Sequence, residues 1–311
     1  MKLSVLMITY NHERYIAKAI DSILTQNVSF DYEIVIGEDA STDKTRNIIL
    51  NYKKTLPDKF RLLLHDDNIG MMPNFVQALN SSKGKYIALL EGDDYWTDPL
   101  KLQKQVDFLD ANPEYSLCSH RYSIFNTYNN SYSDDYCAHL FNNNTPGLEI
   151  SQDSFFNCYL TKTLSVVFRK KNLDISLVSK YKYYRDTHLF FHLLSEGKGF
   201  CFNFNGGVYN KHVDGVYSPL SGFEKTKLAY LILEELYEYN KLLSLKVKYF
   251  NAFSLYVDSL IIQKRFPFFN KTIYGYLIQL FYVTKSYRLL ISKVMKLFFY
   301  PLKYCCRAQT T

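Results

Sequence analysis

Three carboxylates fall within four residues at the end of an apolar run. They are Glu91, Asp93 and Asp94 in "LLEGDDYW" (89–96), directly after "YIALL" (86–90). At neutral pH such groups repel one another unless a cation sits among them. Two readings stand side by side here. One is a solvated loop whose acids cap a helix. The other is a divalent cation held by one or two carboxylates, with phosphates and waters completing its shell. No other phosphate-binding device is present: "TYNHERY" (9–15), after the first apolar run, has no glycine for a G-x-G-x-x-G turn, and there is no P-loop. A diphosphate ligand would therefore need its positive charge from a bound cation.

The elements that must position these acids follow from hydrophobic periodicity. "LSVLMIT" (3–9) is a strand buried on both faces, and a helix follows with Ile16, Ile20, Ile23 and Leu24 on one stripe. "YEIVIG" (32–37) is a second strand, and Ser41 or Thr42 is placed to cap the helix carrying Ile48, Ile49 and Tyr52. "RLLLH" (61–65) is a third strand, ahead of a helix with Pro73 early in it, and "YIALL" is the fourth. A helix with Leu102, Val106 and Leu109 closes the series after Asp98-Pro99. Repeated strand–loop–helix units predict a parallel sheet with helices on both faces, and ligands bind beyond the carboxyl ends of such strands. Thr9 to Asn11, Glu38 to Asp43, Asp66 to Gly70 and Glu91 to Asp94 all fall on that edge. From about 115 to 215 the pattern is irregular, and "FNTYNNSYSDDY" (125–136) reads as a long flexible loop. Beyond about 222 the chain turns helical, and there is no internal repeat.

Composition sets outer bounds. The 311 residues are 47% hydrophobic, enough for a sizeable core, and carry 28 Tyr and 23 Phe but one Trp. A net charge of +7 favours a nucleotide, a phosphate or an acidic lipid surface and does not call for nucleic acid. The six cysteines (118, 137, 158, 201, 305, 306) form no C-x-x-C pair and read as reduced, cytosolic thiols. The first apolar stretch is a strand rather than a signal peptide, and no apolar run of about 18 residues marks a spanning helix.

Five ordered blocks then carry a family resemblance: "SVLMITYNHERYIAKAIDSILTQ", "EIVIGEDASTDKT", "NIGMMPNF", "GKYIALLEGDDYW" and "DPLKLQKQVDFL". Together they resemble the signature segments of family-2 glycosyltransferases, nucleotide-sugar-dependent enzymes of the GT-A fold, over roughly residues 3 to 215. The resemblance implies roles. Thr9 and Tyr10 would lie near the nucleotide. Glu38 and Asp39 stand where Asp-Asp-Gly-Ser is usual, with Asp39 facing a uracil ring. Asp93 would face ribose and phosphate, and Asp94 would ligate Mn²⁺ or Mg²⁺. "TKTLSVVFRK" (161–170) resembles the acceptor-side strand, and "YRDTHLFFHLLSEGKG" (184–199) the segment with the catalytic base, for which Asp186 is the choice and His188 the rival. A carboxylate there would take the acceptor hydroxyl's proton, though a helix N-cap would look the same in sequence. "VYNKHVDGVYS" (208–218) resembles the terminal Tyr-Arg-x-His block, with Lys211 toward the diphosphate, His212 toward the metal, and Asn210 where arginine is common.

The implied reaction is inverting transfer from a nucleotide-diphosphate sugar, UDP-linked, to a hydroxyl of a glycan or lipid-linked acceptor in bacterial surface polysaccharide synthesis. Two other readings stand beside it: a sugar nucleotidyltransferase, and a non-catalytic sugar-binding scaffold. The fold expected is α/β, a Rossmann-like mostly parallel sheet flanked by helices. Residues 1–220 would form the catalytic domain, divided at about 115 into nucleotide and acceptor halves. Residues 221–311 would form a helical extension. Within it, 262–307 holds nine Lys or Arg and no Asp or Glu among many aromatics. Such a stretch suits the anionic, cytoplasmic face of a membrane or a helical cap on the catalytic domain.

Overall fold

The computed structural model describes residues 1–213, 215 and 220–262, so the basic tail beyond 262 lies outside it. The chain divides into two compact units, Met1–Val213 and Asp214–Thr311. In the first, β1 (Leu3–Thr9), β2 (Tyr32–Glu38), β3 (Phe60–Leu64) and β4 (Tyr86–Leu89) lie parallel in the order β3-β2-β1-β4. Seven consecutive residues of β2 are buried, as a strand covered on both faces requires. The helices α1 (Ile16–Leu24), α2 (Thr45–Thr55), α3 (Met71–Ser81) and α4 (Lys101–Ala111) contribute Ile20, Ile49, Leu79 and Val106 to the buried apolar interior.

The second half of the sheet is mixed. β5 (Tyr95–Trp96), β6 (Tyr115–Asn126), β9 (Val167–Arg169) and β10 (Lys198–Lys211) extend the order to β4-β9-β6-β10-β5, with β6 and β10 parallel. β7 (Ser131–Asp134) pairs with β6, and β8 (Gly147–Ile150) with β10. α5 (Asp186–Leu193) precedes β10.

Three expectations change on inspection of the fold. The Asn/Ser/Tyr-rich segment is the β6–β7 hairpin, turned by Asn130 at φ 53°, where asparagine tolerates the left-handed region better than most residues. Neither Ser41 nor Thr42 caps α2. Asp43 Oδ1 accepts the Thr45 N–H at 2.9 Å, and Ser41 Oγ accepts the Asn11 N–H instead. The cysteines are not all thiols: Cys137 and Cys158 form a disulfide, while Cys118 and Cys201 are buried and free. Spacing could not reveal that pair, because the two cysteines stand 21 residues apart with no motif linking them.

The second unit is described through α6 (Gly222–Asn240) and α7 (Leu243–Ile262). Ser221 and Glu224 form a reciprocal capping box at the start of α6. The two helices share an aromatic interior of Tyr230, Tyr249, Phe250 and Phe253. Among the described residues no helix is long and apolar enough to cross a membrane.

Candidate active site

Strand register brings the polar loops to one edge. Thr9 is level with Glu38, the Asp39 N–H donates to Thr9 O, and the Gly92 N–H donates to Ile8 O. The loop after β4 therefore runs over the end of β1. Contact is so close that a Cβ on Gly92 would stand 2.6 Å from Thr9 Oγ1 and 2.9 Å from His12 Nδ1. Glycine between the acids is thus a packing requirement. On the other side, β5 pairs antiparallel with β10 through Val208 and Tyr95, which aligns Asn210 with the carboxylates. The Asn210 N–H donates to Asp94 Oδ1 at 2.8 Å, and its side-chain amide donates to Asp93 O.

One ligand oxygen from each of Glu91, Asp93 and Asp94 lies within 4.8 Å of the others. Asp94 is 1% exposed, and its Oδ2 is buried with no hydrogen-bond partner. Burial, then the Asp93 and Glu91 charges, raise the Asp94 carboxyl well above the ordinary carboxylate range. Burial with the Asp93 charge also pushes Glu91 up to about 7. Burial acts to raise Asp93 too. The His212 hydrogen bond and the His12 and His212 charges outweigh it and hold Asp93 below its ordinary value. An orphaned oxygen within an all-oxygen donor set fits a hard divalent cation.

His212 reaches this cluster through Asp93. Its Nε2 stands 3.0 Å from Asp93 Oδ2, its ring stacks on Tyr15 at 4.8 Å, and its Nδ1 is buried without a partner. His12 Nε2 approaches the same Asp93 oxygen at 3.9 Å. Lys211 ends β10 half-buried, and its carbonyl accepts the Thr127 N–H. Toward the nucleotide loops, Thr9 is buried and Tyr10 is exposed. Glu38 and Asp39 are committed to the protein: Glu38 accepts from the Ser41 N–H and from Arg46, and the Asp39 oxygens accept the Ile69 and Gly70 N–H groups at 2.8 and 3.0 Å.

Asp186 opens α5, one residue inside the Arg185 N-cap. Its Oδ2 accepts the Tyr159 hydroxyl at 2.6 Å and faces Thr163 Oγ1 at 3.4 Å, while Oδ1 accepts the Thr187 N–H. The rival His188 is fully buried. Its Nδ1 accepts the Arg185 N–H, and burial pushes the ring down to about 3. That ring belongs to the helix start. Lys162, which the sequence did not single out, joins the two acidic groups. Burial works against its charge, but Tyr209, Glu91, Asp186 and Asp94 outweigh it and raise the ammonium above the ordinary lysine range. His12 and Lys162 lie within the quoted segments and Tyr159 just before one, but nothing in the residue pattern set them apart.

Residues 4–170, over half of the chain, match the profile of Glycosyl transferase family 2. The chain belongs to that family. An uncharacterized Mycobacterium tuberculosis protein is 40% identical over 169 residues, 54% of this chain and 47% of that one. The Bacillus subtilis protein named as a teichuronic acid biosynthesis glycosyltransferase, TuaG, is 34% identical over 107 residues, 34% of this chain and 41% of that one. The chain spans about half or less of the length of these relatives. Solved structures share the fold. S. aureus TarS in complex with UDP-GlcNAc superposes with a TM-score of 0.58 at 17% identity, over 83% of this chain and 81% of that one. The Pyrobaculum calidifontis mannosyltransferase PcManGT in complex with GDP-Man and Mn²⁺ gives 0.56 at 14% identity, over 95% and 84%.

Proposed function

We propose that this family 2 chain is an inverting glycosyltransferase. It would move a sugar from a nucleotide-diphosphate donor, UDP-linked, to a hydroxyl of a glycan or lipid-linked acceptor in bacterial surface polysaccharide synthesis. The observation that carries the reading is the partnerless, buried Asp94 Oδ2 beside Glu91 and Asp93 on the carboxyl edge of the sheet. The donors named for TarS and PcManGT are nucleotide sugars, and TuaG's name supports the polysaccharide setting.

Each group then has a task. Thr9, Tyr10, Glu38 and Asp39 border the nucleotide, and Asp93, braced by His12 and His212, faces ribose and phosphate. Asp94, with Glu91 or Asp93 and with His212 in support, would hold Mn²⁺ or Mg²⁺, whose charge offsets that of the departing diphosphate. Lys211 adds a cation on the leaving-group side. Asp186 takes the proton from the acceptor hydroxyl as that oxygen attacks the anomeric carbon, so no covalent enzyme intermediate is needed. The Tyr159 hydroxyl and Thr187 N–H hold its two oxygens in place. The site would work at the cytoplasmic face of the inner membrane, with 262–307 against anionic lipid. In a reducing compartment the Cys137–Cys158 pair would meet thiol reductants, so its redox state would vary.

Calorimetry of UDP binding with and without Mn²⁺ tests this reading. Wild type should bind UDP in a Mn²⁺-dependent manner and Asp94→Ala should not, because a ligand is lost and phosphate repulsion returns. Unchanged affinity in the variant would remove Asp94 from a metal site.

A further inference from the structure

Lys162 stands near the acids of the site without a direct hydrogen bond or ion pair to any of them. Its Nζ stands 3.9 Å from the centre of the Tyr209 ring and makes no hydrogen bond or ion pair among the described residues. An ammonium has three donors, and the face of one aromatic ring satisfies none of them as an oxygen acceptor would. The chain around it serves the base. Tyr159, three residues before, and Thr163, the next residue, both turn their hydroxyls to Asp186 Oδ2. Lys162 therefore sits in the segment that holds Asp186, the group proposed to deprotonate the acceptor hydroxyl.

We propose that Lys162 binds an oxyanion carried by the acceptor, a phosphate or carboxylate close to the hydroxyl that Asp186 activates. The acceptor class is thus acidic. The inference rests on the glycosyltransferase reading of the site and on Asp186 as its base. A charge-assisted hydrogen bond to such a group is worth about a tenfold change in affinity or more.

The test uses the full chain loaded with UDP and Mn²⁺, and four probes at matched ionic strength. Glycerol 3-phosphate and glucuronate are the anionic probes; glycerol and glucose are their neutral counterparts. The anionic probes should raise the unfolding midpoint of wild type and the neutral ones should not. Lys162→Gln should weaken the anionic response about tenfold while binding UDP as wild type does, and Lys162→Arg should keep most of it. Reductive methylation read by peptide mass spectrometry gives a measurement that needs no variant: either anion should shield Lys162 in the wild-type protein. Equal responses to charged and neutral probes, or unshielded Lys162, would overturn the inference. So would weaker UDP binding by Lys162→Gln, which would make the lysine a donor-side or metal-side group. If wild type fails to bind UDP at all, the glycosyltransferase reading falls; if UDP binds and only the anion response is missing, this inference falls alone.

Discussion

Glu91→Gln should stabilise the metal-free protein, and the gain should depend on pH. Raising a carboxyl from its ordinary 4.5 to about 7 corresponds to roughly 3 kcal/mol of folding free energy. The sign follows from proton uptake. The folded protein holds a proton that the unfolded chain releases, so Glu91 contributes stability in full below about 4.5. That contribution declines as pH rises and is gone above about 7. Glutamine has nearly the same shape and never ionises. With EDTA present the two proteins should match near pH 4, and the variant should lead by about 1–3 kcal/mol at pH 8, the range allowing for sharing of charge among the three acids. Saturating Mn²⁺ at 100 times its dissociation constant returns about 2.7 kcal/mol to wild type, enough to close the gap. Urea unfolding followed by fluorescence suits the question, because the single tryptophan, Trp96, is buried two residues from Asp94. A pH-independent difference, or a variant less stable than wild type at pH 8 without metal, would refute the account of charge crowding.

Three further perturbations separate packing from chemistry. Gly92→Ala should cost about 1–3 kcal/mol and weaken UDP binding, since its Cβ would press on Thr9 and His12; an unchanged melting midpoint would mean that these loops part easily. Asp186→Asn should keep UDP binding and lower transfer by about 10²-fold or more, as seen in kcat, because an amide cannot take the proton. Replacing Cys137 and Cys158 together by serine should cost about 3 kcal/mol, the loop-closure value for cysteines 21 residues apart, in urea unfolding under non-reducing conditions. An equal loss in wild type on adding dithiothreitol would show that the bond is the cause.

The nucleotide half was legible because its strands are short, apolar and buried on both faces, and each is followed by a helix. Both periodicities in β1 and α1 can be read without knowledge of the rest of the chain. The acceptor half was not, because its order comes from long-range pairing. β10 reaches β6, β8 and β5, with register shifts that no local pattern encodes. The acids of 91–94 could be found as a cluster, but not the reason for Gly92, which lies in a loop some 80 residues earlier in the chain. Nor could sequence show that Glu38 and Asp39 spend their oxygens on Ser41, Arg46, Ile69 and Gly70. Lys162 was invisible for a related reason. A lysine in a mixed segment is ordinarily a surface residue, and only the approach of Tyr209 and the acids makes it otherwise.

The same long-range pairing explains how one protein tolerates so much like charge. Each acid answers to a different element. Asp94 is held by the backbone of β10 through Asn210, Asp93 by His212 just past that strand and by His12 after β1, and Asp186 by Tyr159 and Thr187. Hydrogen bonds fix one oxygen of Asp94 and leave the other turned into the site without a partner. A buried carboxylate so arranged is destabilising by itself, because its charge is desolvated and crowded by its neighbours. It is also pre-set for a cation, since no side chain has to reorganise to present the oxygen. The folding free energy given up by Asp94 and Glu91 in the metal-free protein is therefore coupled to cation affinity: what weakens the empty site strengthens binding to it.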